Sequence, residues 1–309
     1  MAVKIISGRS TVYLAEKIAS AYGEPLSEVD YRQFSDGEIS PQIAESVRGH
    51  DVFIVQSTFA PADNFMELLL LIDAAKRASA ENVNVIIPYF GYARQDRKDK
   101  SRVAIAAKMI ANLISAAGAD RIMTIDLHAD QIQGFFDIPL DHLYASYIFV
   151  PYLKSLGLQN IMFASPDVGG IKRARNYAKI FETELAVCDK YRKEANTIES
   201  MRLIGEVEGK DVILVDDLID TGGTICKAAQ LLKEKGAKSV RALCGHPVLS
   251  GKAYENIENS VLEEMVVTDT IPLRMQTSKI KVLSVSTLLS KAIRKIHDHE
   301  SISSLFIKL

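Results

Sequence analysis

The sequence is poor in the residues that mark several protein classes. Only three of its 309 residues are cysteine, and Cys188, Cys226 and Cys244 are too far apart for a CxxC pair or a zinc-binding spacing. This cysteine usage fits a reduced, cytoplasmic compartment. The 37 basic and 39 acidic residues give a formal net charge of −2, so the overall charge gives no reason to expect nucleic-acid or membrane binding.

Long hydrophobic runs and common nucleotide-binding loops are also missing. The apolar run at residues 68–72 is cut off by Asp73, far short of a membrane span. The first residues, MAVKIISGRS, predict a strand and lack the length and cleavage site of a signal peptide. Residues 205–210 have the wrong spacing for a Walker loop, and no Ser or Thr follows them. We therefore expect a cytoplasmic protein that binds any nucleotide by other means.

Short apolar runs alternate with amphipathic stretches along the chain. The runs predict strands at residues 4–7, 52–56, 83–88, 121–126, 160–164, 185–189, 212–215 and 240–244. The stretches predict helices at residues 65–79, 104–117, 171–181 and 225–235. Several strands carry apolar residues on both faces, as strands buried in a parallel sheet do. This alternation predicts an α/β fold with mostly parallel sheets flanked by helices.

The two halves of the chain have similar patterns. A strand with acidic residues at its end occurs in each half, at Asp126 and at Asp216 with Asp217. We therefore expect two similar α/β domains, residues 1–141 and 142–286, with a boundary near the break at residues 137–139. The amphipathic helix predicted at residues 287–297 and the tail to residue 309 are expected to pack back on the first domain.

The segment after the strand at residues 212–215 has the pattern of an anion-binding turn. The N–H groups and dipole of a helix N-terminus favour phosphate, and glycine lets the backbone approach it closely. Acidic residues at the strand end suit sugar hydroxyls, or a metal that bridges to them. An ordinary strand–helix turn with an acidic rim is the alternative. The candidate residues are Asp216, Asp220, Thr221, Gly222, Gly223 and Thr224.

Two loops of the first half combine aromatic and charged residues. Phe34 stands beside Asp36 and Gly37, where its ring can stack on a base, although these two residues also predict a plain hairpin turn. Arg94 lies beyond the strand at residues 83–88, where α/β sheets bind ligands. Guanidinium groups bind polyphosphate in a bidentate manner. A solvated charged loop is the alternative for this second segment.

Three further segments place ionisable residues just after predicted strands. His128 and Asp167 suit a divalent ion, although a lone histidine is usually structural and Mg²⁺ prefers oxygen ligands. Lys190 and Arg192 lie in a loop that could close over phosphates and neutralise charge developing in a transition state. A surface hairpin is the alternative for that loop.

Six motifs occur in order along the chain: FSDGE, GYARQDRK, DLHA, SPDVGG followed by RAR, DKYRKEAN and VDDLIDTGGT. In this order they resemble the ribose-phosphate pyrophosphokinases of the phosphate-regulated class over essentially the whole chain. The resemblance implies a fold like that of type I phosphoribosyltransferases and Mg²⁺ as cofactor. It also implies transfer of the diphosphoryl group of ATP to the anomeric hydroxyl of ribose 5-phosphate. The products would be AMP and 5-phosphoribosyl 1-pyrophosphate for nucleotide biosynthesis.

The resemblance implies roles for the residues at matching positions. Lys190 matches the catalytic lysine, and Arg192 matches the arginine that works with it. His128 and Asp167 match magnesium-site positions. The positions that match ATP-binding residues are Phe34, Asp36, Gly37, Glu38, Arg94 and Gln95. The positions that match the ribose 5-phosphate site are Asp216, Asp220, Thr221, Gly222, Gly223 and Thr224.

Regulation and assembly are implied by the same resemblance. Inorganic phosphate and ADP would act at an allosteric site between subunits of a homo-oligomer in which dimers build a hexamer. The residues that resemble parts of this site are Ser46, Arg48, Arg77, Ser79, Ser301, Ser303 and Phe306.

Some features of the sequence leave other functions open. The chain departs from the commoner bacterial pattern at Tyr191 and at residues 193–195, which bears on loop dynamics and turnover more than on the chemistry. A phosphoribosyltransferase is one alternative function, but it accounts only for the last of the six motifs. A non-catalytic regulatory subunit of the same family is the other.

Overall fold

The chain folds into two compact units. The structure, a computed structural model, describes residues 2–191 and 200–306. The first unit extends to Tyr144 and also includes Ser284–Phe306, and the second unit lies within residues 145–283. No helix in these described ranges is both long enough and apolar enough to cross a membrane.

The regular elements alternate as the sequence pattern predicts. The strands of the described residues are β1 (Val3–Ser7), β2 (Leu26–Ser27), β3 (Val29–Gln33), β4 (Ile39–Ile43), β5 (Asp51–Val55), β6 (Asn82–Ile87), β7 (Arg121–Ile125), β8 (Leu140–Leu143), β9 (Ile161–Ser165), β10 (Leu185–Tyr191), β11 (Ser200–Ile204), β12 (Asp211–Ile219), β13 (Ser239–Pro247), β14 (Met265–Thr268) and β15 (Ile280–Leu283). The α-helices are α1 (Val12–Tyr22), α2 (Asp63–Arg77), α3 (Ala106–Ala117), α4 (Ser146–Ser155), α5 (Ile171–Ile180), α6 (Gly223–Glu234), α7 (Ala253–Glu258) and α8 (Ser286–His297).

Both units are built on the same sheet topology. In the first unit, six parallel strands have the spatial order β2-β1-β5-β6-β7-β8, and β3 with β4 forms a separate antiparallel hairpin. In the second unit, β10-β9-β12-β13-β14-β15 are also parallel, and β11 adds antiparallel at the outer edge of β10. This equivalence confirms the predicted fold of two similar domains with mostly parallel sheets. The strand order reverses between β1 and β5 and between β9 and β12, and such switch points are where open α/β sheets bind ligands.

The central strands are buried on both faces, as their apolar sequences require. Val52 and Ile54 of β5 join a core with α2 and α3, whereas Phe53, one position along, is buried on the opposite face. In the second unit, Val212 and Leu214 of β12 join a core with α6. Burying each such side chain contributes about 1.5–3 kcal/mol, so the sheet centres are firm supports for the loops at their ends. Helix α8 packs against α1 in the first unit.

The strands beside the predicted sugar-phosphate turn and the predicted catalytic residues differ from the sequence-based expectation. Strand β12 continues to Ile219, so Asp216 and Asp217 lie inside the strand and not beyond its end. The extension is possible because β13 is equally long and pairs with β12 as far as Pro247. The sequence also did not predict β11, because its side chains lack the apolar pattern of a strand. Its backbone N–H and C=O groups are satisfied by antiparallel pairing with β10.

Candidate active site

The turn after β12 has the geometry of an anion site. Gly222 adopts the left-handed conformation, with φ 74° and ψ −7°, and is the N-cap residue of α6. A residue with a Cβ is strained in this conformation, so the turn needs glycine here. Thr221 is exposed, whereas Asp220, Gly223 and Thr224 are partly buried. The α6 N-terminus therefore follows directly on the turn, where its N–H groups and dipole favour an anion.

Three carboxylates lie close together at the switch point of the second unit. Asp167 follows β9, and Asp216 and Asp217 lie near the end of β12. Burial raises the pKa of Asp216, and the charges of Asp217 and Asp167 raise it further. The Arg173 guanidinium opposes this rise and lies 3.8 Å from Oδ1 of Asp217. This edge of the sheet concentrates negative charge, which favours a cation or sugar hydroxyls as neighbours.

Asp167 is held by the turn that leads into α5. The Ser165 hydroxyl donates to the Asp167 backbone oxygen at 2.6 Å, and the Gly170 N–H donates to Oδ1 of Asp167 at 3.1 Å. A Cβ on Gly170 would lie 2.7 Å from the Ser165 Oγ, so a larger residue here would displace that hydroxyl. Among the residues that the structure describes, no group of three or more His, Cys, Asp or Glu side chains is arranged to hold a metal ion.

The two predicted catalytic residues lie at the limit of the described chain. Lys190 belongs to β10, where its backbone stands opposite Met201 of β11. The neighbouring pair, Asp189 and Arg202, joins the two strands through Nε and Oδ2 at 3.0 Å. This cross-strand ion pair fixes the register next to Lys190. Arg192 lies outside the described residues, as do residues 193–195.

In the first unit, the loop after β6 folds closely over the loop after β5. The Gly91 N–H donates to the Thr58 hydroxyl at 2.8 Å, and the Thr58 N–H donates to the Tyr89 carbonyl at 3.0 Å. A Cβ on Gly91 would lie 2.1 Å from the Thr58 carbonyl oxygen, so no larger residue fits without movement. Arg94 and Gln95 follow on this loop and are exposed at the carboxyl edge of the sheet.

His128 follows a strained turn after β7. Asp126 has φ 42°, which is unusual for a residue other than glycine and is typical of functional sites. The Leu127 N–H donates to Nε2 of His142 at 2.9 Å, which holds the turn against β8. His128 itself is exposed. His128 lies in the first unit and Asp167 in the second.

The segments that carry Arg94 and His128 are connected. The Gln131 side chain donates to Oδ2 of Asp96 at 2.7 Å, which ties the loop after β6 to the residues that follow His128. The structure therefore brings these two predicted sites to neighbouring positions on the first unit. Their shared position at one sheet edge follows from the parallel order of β6 and β7.

The predicted adenine-contacting loop is the tip of the hairpin formed by β3 and β4. The Phe34 N–H donates to the Glu38 carbonyl at 2.8 Å, and Oδ1 of Asp36 accepts from the Glu38 N–H at 3.1 Å. Gly37 has φ 100°, as a tight turn requires. The Phe34 ring is 41% exposed, and the guanidinium of Arg32 lies 4.6 Å from its centroid. The hairpin thus presents an aromatic face outside its own fold.

The residues of the predicted allosteric site fall in two segments of the first unit. Gly49 donates to the Ser79 carbonyl at 2.9 Å, which brings the loop of Ser46 and Arg48 beside the end of α2, where Arg77 also lies. All four predicted residues of this segment are exposed.

The tail after α8 carries the other predicted allosteric residues. The Ser301 Oγ accepts from the Ser303 N–H at 3.2 Å and caps the short 3-10 helix Ile302–Leu305. The Phe306 ring packs edge-on against Tyr144, with centroids 6.2 Å apart.

Sequence reasoning missed a polar network at the switch point of the first unit. Nε of Arg9 lies 2.6 Å from Oε2 of Glu67, which is buried, and the Gln56 amide donates to Oε1 of Glu67 at 3.2 Å. The Ser10 hydroxyl donates to Oε1 of Gln56 at 2.8 Å. A Cβ on Gly8 would lie 2.2 Å from that same oxygen. The signal in the sequence was weak because Arg9 and Glu67 are far apart along the chain.

Comparison with known proteins identifies the family of the chain. A family model described as the N-terminal domain of ribose phosphate pyrophosphokinase matches residues 3–118, and one described as the phosphoribosyl synthetase-associated domain matches residues 181–307. The chain is 58% identical to the ribose-phosphate pyrophosphokinase of Campylobacter jejuni, over 98% of this chain and 99% of that protein. The chain belongs to the ribose-phosphate pyrophosphokinase family.

Other members of the ribose-phosphate pyrophosphokinase family are similar over the same length. The protein of Wolinella succinogenes is 57% identical over 98% of this chain and 99% of its own. The crystal structure of phosphoribosylpyrophosphate synthetase from Mycobacterium smegmatis is 39% identical in sequence and superposes with a TM-score of 0.91, covering 97% of this chain and 100% of that one. These findings confirm the family and the enzyme class that the six motifs indicated.

Proposed function

We propose that the protein transfers the β,γ-diphosphoryl group of ATP to the anomeric hydroxyl of ribose 5-phosphate. The products are 5-phosphoribosyl 1-pyrophosphate and AMP, for use in nucleotide biosynthesis. Family membership supports this activity. The observation that carries it is the left-handed Gly222 turn at the start of α6, beside the carboxylates of Asp216 and Asp217. A phosphate-binding turn next to groups that suit sugar hydroxyls fits a phosphorylated sugar.

The residues of the second unit would bind and orient the sugar phosphate. The turn from Asp220 to Thr224 would hold the 5-phosphate at the α6 N-terminus, and Asp216 would hold ribose hydroxyls. In the reaction the anomeric hydroxyl loses its proton to solvent and its oxygen bonds to the β-phosphorus, while the bond from that phosphorus to the AMP oxygen breaks. Such a transfer needs alignment and charge neutralisation more than covalent help. We assign the neutralisation to Lys190 and Arg192.

The residues of the first unit would bind ATP. Arg94 and Gln95 would hold the phosphates from the loop after β6, which the Thr58 contact with Gly91 positions. The exposed Phe34 ring would stack on adenine, with Asp36 and Glu38 near its exocyclic amine. A hairpin that presents its ring away from its own fold suits a site shared with a neighbouring subunit.

Mg²⁺ fits the acidic edge of the second unit. Burial raises the pKa of Asp216, and repulsion from Asp217 and Asp167 raises it further, so a cation there is electrostatically favoured. Carboxylates are the ligands Mg²⁺ prefers, and it usually keeps waters and phosphate oxygens as its other ligands. We propose His128 and Asp167 as the magnesium-binding positions. When bound, the ion would neutralise charge on the triphosphate.

Release of AMP from ATP tests the proposed reaction. The purified protein is mixed with ATP and Mg²⁺, with and without ribose 5-phosphate, and AMP is separated by ion-exchange chromatography. We expect AMP only when the sugar phosphate is present, together with an equal amount of 5-phosphoribosyl 1-pyrophosphate. Folded protein that releases no AMP in any condition would favour a non-catalytic regulatory subunit. A phosphoribosyltransferase would likewise release none.

We also propose that the protein is a cytoplasmic homohexamer built from dimers, activated by inorganic phosphate and inhibited by ADP. The proposal follows family resemblance, with Ser46, Arg48 and Ser79 on one segment and Ser301 and Phe306 on another. We further propose residues 1–141 with the tail, and residues 142–286, as its functional domains. Analytical ultracentrifugation tests the assembly, and AMP release in low and high phosphate, with and without ADP, tests the regulation.

A further inference from the structure

The connection between β13 and α7, together with the first residues of α7, lies against the turn that follows β12. We call residues 249–256 the brace. The Leu249 N–H donates to the Ile219 carbonyl at 3.0 Å, and the Ser250 N–H donates to the Asp220 carbonyl at 2.9 Å. The Ser250 hydroxyl also donates to Oδ1 of Asp220. Ser250 thus contacts both the backbone and the carboxylate of the first residue of the turn.

The helical end of the brace holds the next two residues of the turn. The Asn256 amide donates to the Thr221 carbonyl at 2.9 Å. A Cβ built on Gly222 would lie 3.5 Å from the Ala253 carbonyl oxygen and 3.6 Å from Cγ1 of Ile257. Helix α7 therefore packs directly against Gly222. Three consecutive residues of the turn are held by a segment about 30 residues away in the chain.

We propose that Ser250 is a positioning residue for ribose 5-phosphate and acts through Asp220. A short acidic side chain samples several rotamers, and only some of them direct its carboxylate at a bound sugar phosphate. The Ser250 hydroxyl selects one rotamer before the substrate binds, and its N–H fixes the backbone beneath it. Catalytic sites depend on such supporting hydrogen bonds to hold their contacting groups in place. This inference rests on the proposed assignment of Asp220 and its turn to ribose 5-phosphate.

Steady-state kinetics of Ser250→Ala tests the inference. Ser250→Ala removes a hydrogen bond to a charged group. We expect this loss to raise the KM for ribose 5-phosphate about tenfold at saturating ATP. The KM for ATP stays within about twofold, since the first unit carries the proposed ATP residues. Ser250→Thr retains the hydroxyl and restores the KM. Asn256→Ala, which removes the bond to the Thr221 carbonyl, shifts the same KM in the same direction.

Ser278→Ala is the matched control. Its hydroxyl donates to Oε1 of Glu258 at 2.7 Å, so the variant removes a serine–carboxylate bond at the far end of α7. Both KM values should match those of the unaltered protein. An equal rise of both KM values in Ser250→Ala, or a lowered thermal midpoint with no change in KM for ribose 5-phosphate, would overturn the inference.

Gly222→Ala separates this inference from the assignment on which it rests. Alanine is strained at φ 74°, so this variant disturbs the turn directly. If it leaves the KM for ribose 5-phosphate unchanged, the assignment of the turn fails and the role of Ser250 fails with it. If Gly222→Ala raises that KM and Ser250→Ala does not, only the role of Ser250 is wrong. Should Ser250→Ala not fold, Ser250→Cys decides by the same measure, because a thiol of similar size is only a weak donor.

Discussion

Replacing Gly91 by alanine should move the loop that carries the proposed ATP-binding residues. The added Cβ would lie 2.1 Å from the Thr58 carbonyl oxygen, whereas ordinary contact begins at 3.4 Å. The obstacle is backbone and cannot rotate away, so the two loops must separate by roughly 1.3 Å. That shift breaks the 2.8 Å bond from the Gly91 N–H to the Thr58 hydroxyl.

The cost of this change can be estimated from its parts. Overpacking costs about 1–3 kcal/mol, and a lost buried hydrogen bond costs about 1–3 kcal/mol more. With about 2–4 °C per kcal/mol for a unit of this size, we expect the thermal midpoint to fall by about 4–24 °C. A misplacement of about 1 Å can cost about 10²-fold in rate, so kcat/KM for ATP should fall by a factor of that order.

Gly134→Ala is the matched control for Gly91→Ala. Gly134 lies in the 3-10 helix Asp130–Phe135 of the same unit, and a Cβ there meets nothing within 4 Å. Thermal unfolding followed by circular dichroism and steady-state kinetics should find this variant unchanged. The reasoning is refuted if Gly91→Ala has the same midpoint and the same kcat/KM for ATP as the control.

Three other substitutions test separate parts of the site. Lys190→Ala should lower kcat about 10²–10³-fold with an unchanged thermal midpoint, and normal turnover would contradict its catalytic role. Asp216→Asn should raise the thermal midpoint by about 2–4 °C while AMP release falls, because it removes a buried, repelled charge. Since the pKa of Asp216 is raised, its destabilising effect is absent in acid, where the group is protonated, and grows as the pH rises through that pKa. The gain in stability should therefore be larger near neutral pH than in acid, and a gain independent of pH would contradict this cause. Phe34→Ala should raise the KM for ATP about tenfold by loss of base stacking, with no change in the KM for ribose 5-phosphate, and an unchanged KM for ATP would argue against stacking.

The parallel strands could be predicted because burial on both faces leaves continuous apolar runs. The run at residues 185–189 lies within β10, and that at residues 240–244 lies within β13. Short edge strands carry less of this signal, and β15 has only four residues, none of them fully buried. Helix α4 was not predicted, and it contains Pro151, which ordinarily argues against a helix.

The site could be predicted where its residues are neighbours in sequence. The turn from Asp220 to Thr224 is continuous, so its glycines and acidic residue form one readable pattern. Contacts that support the turn are different, because Ser250 and Asn256 reach it only once β13 lies beside β12. No local pattern marks a serine that will donate to a carboxylate about 30 positions earlier.

At the switch point of the first unit, the protein's own side chains pair with one another, and this distinguishes the first unit from the second. Both units have the same strand order. Beside β1 and β5, however, the Arg9 guanidinium is paired with the Glu67 carboxylate of the protein itself. At the equivalent point of the second unit we propose the ribose 5-phosphate site, whereas here the cation is already paired with a carboxylate of the protein. A phosphate at this point would be repelled by the buried Glu67 carboxylate, which is already paired with Arg9. The two units therefore share one strand order but differ in the residues that stand at their switch points.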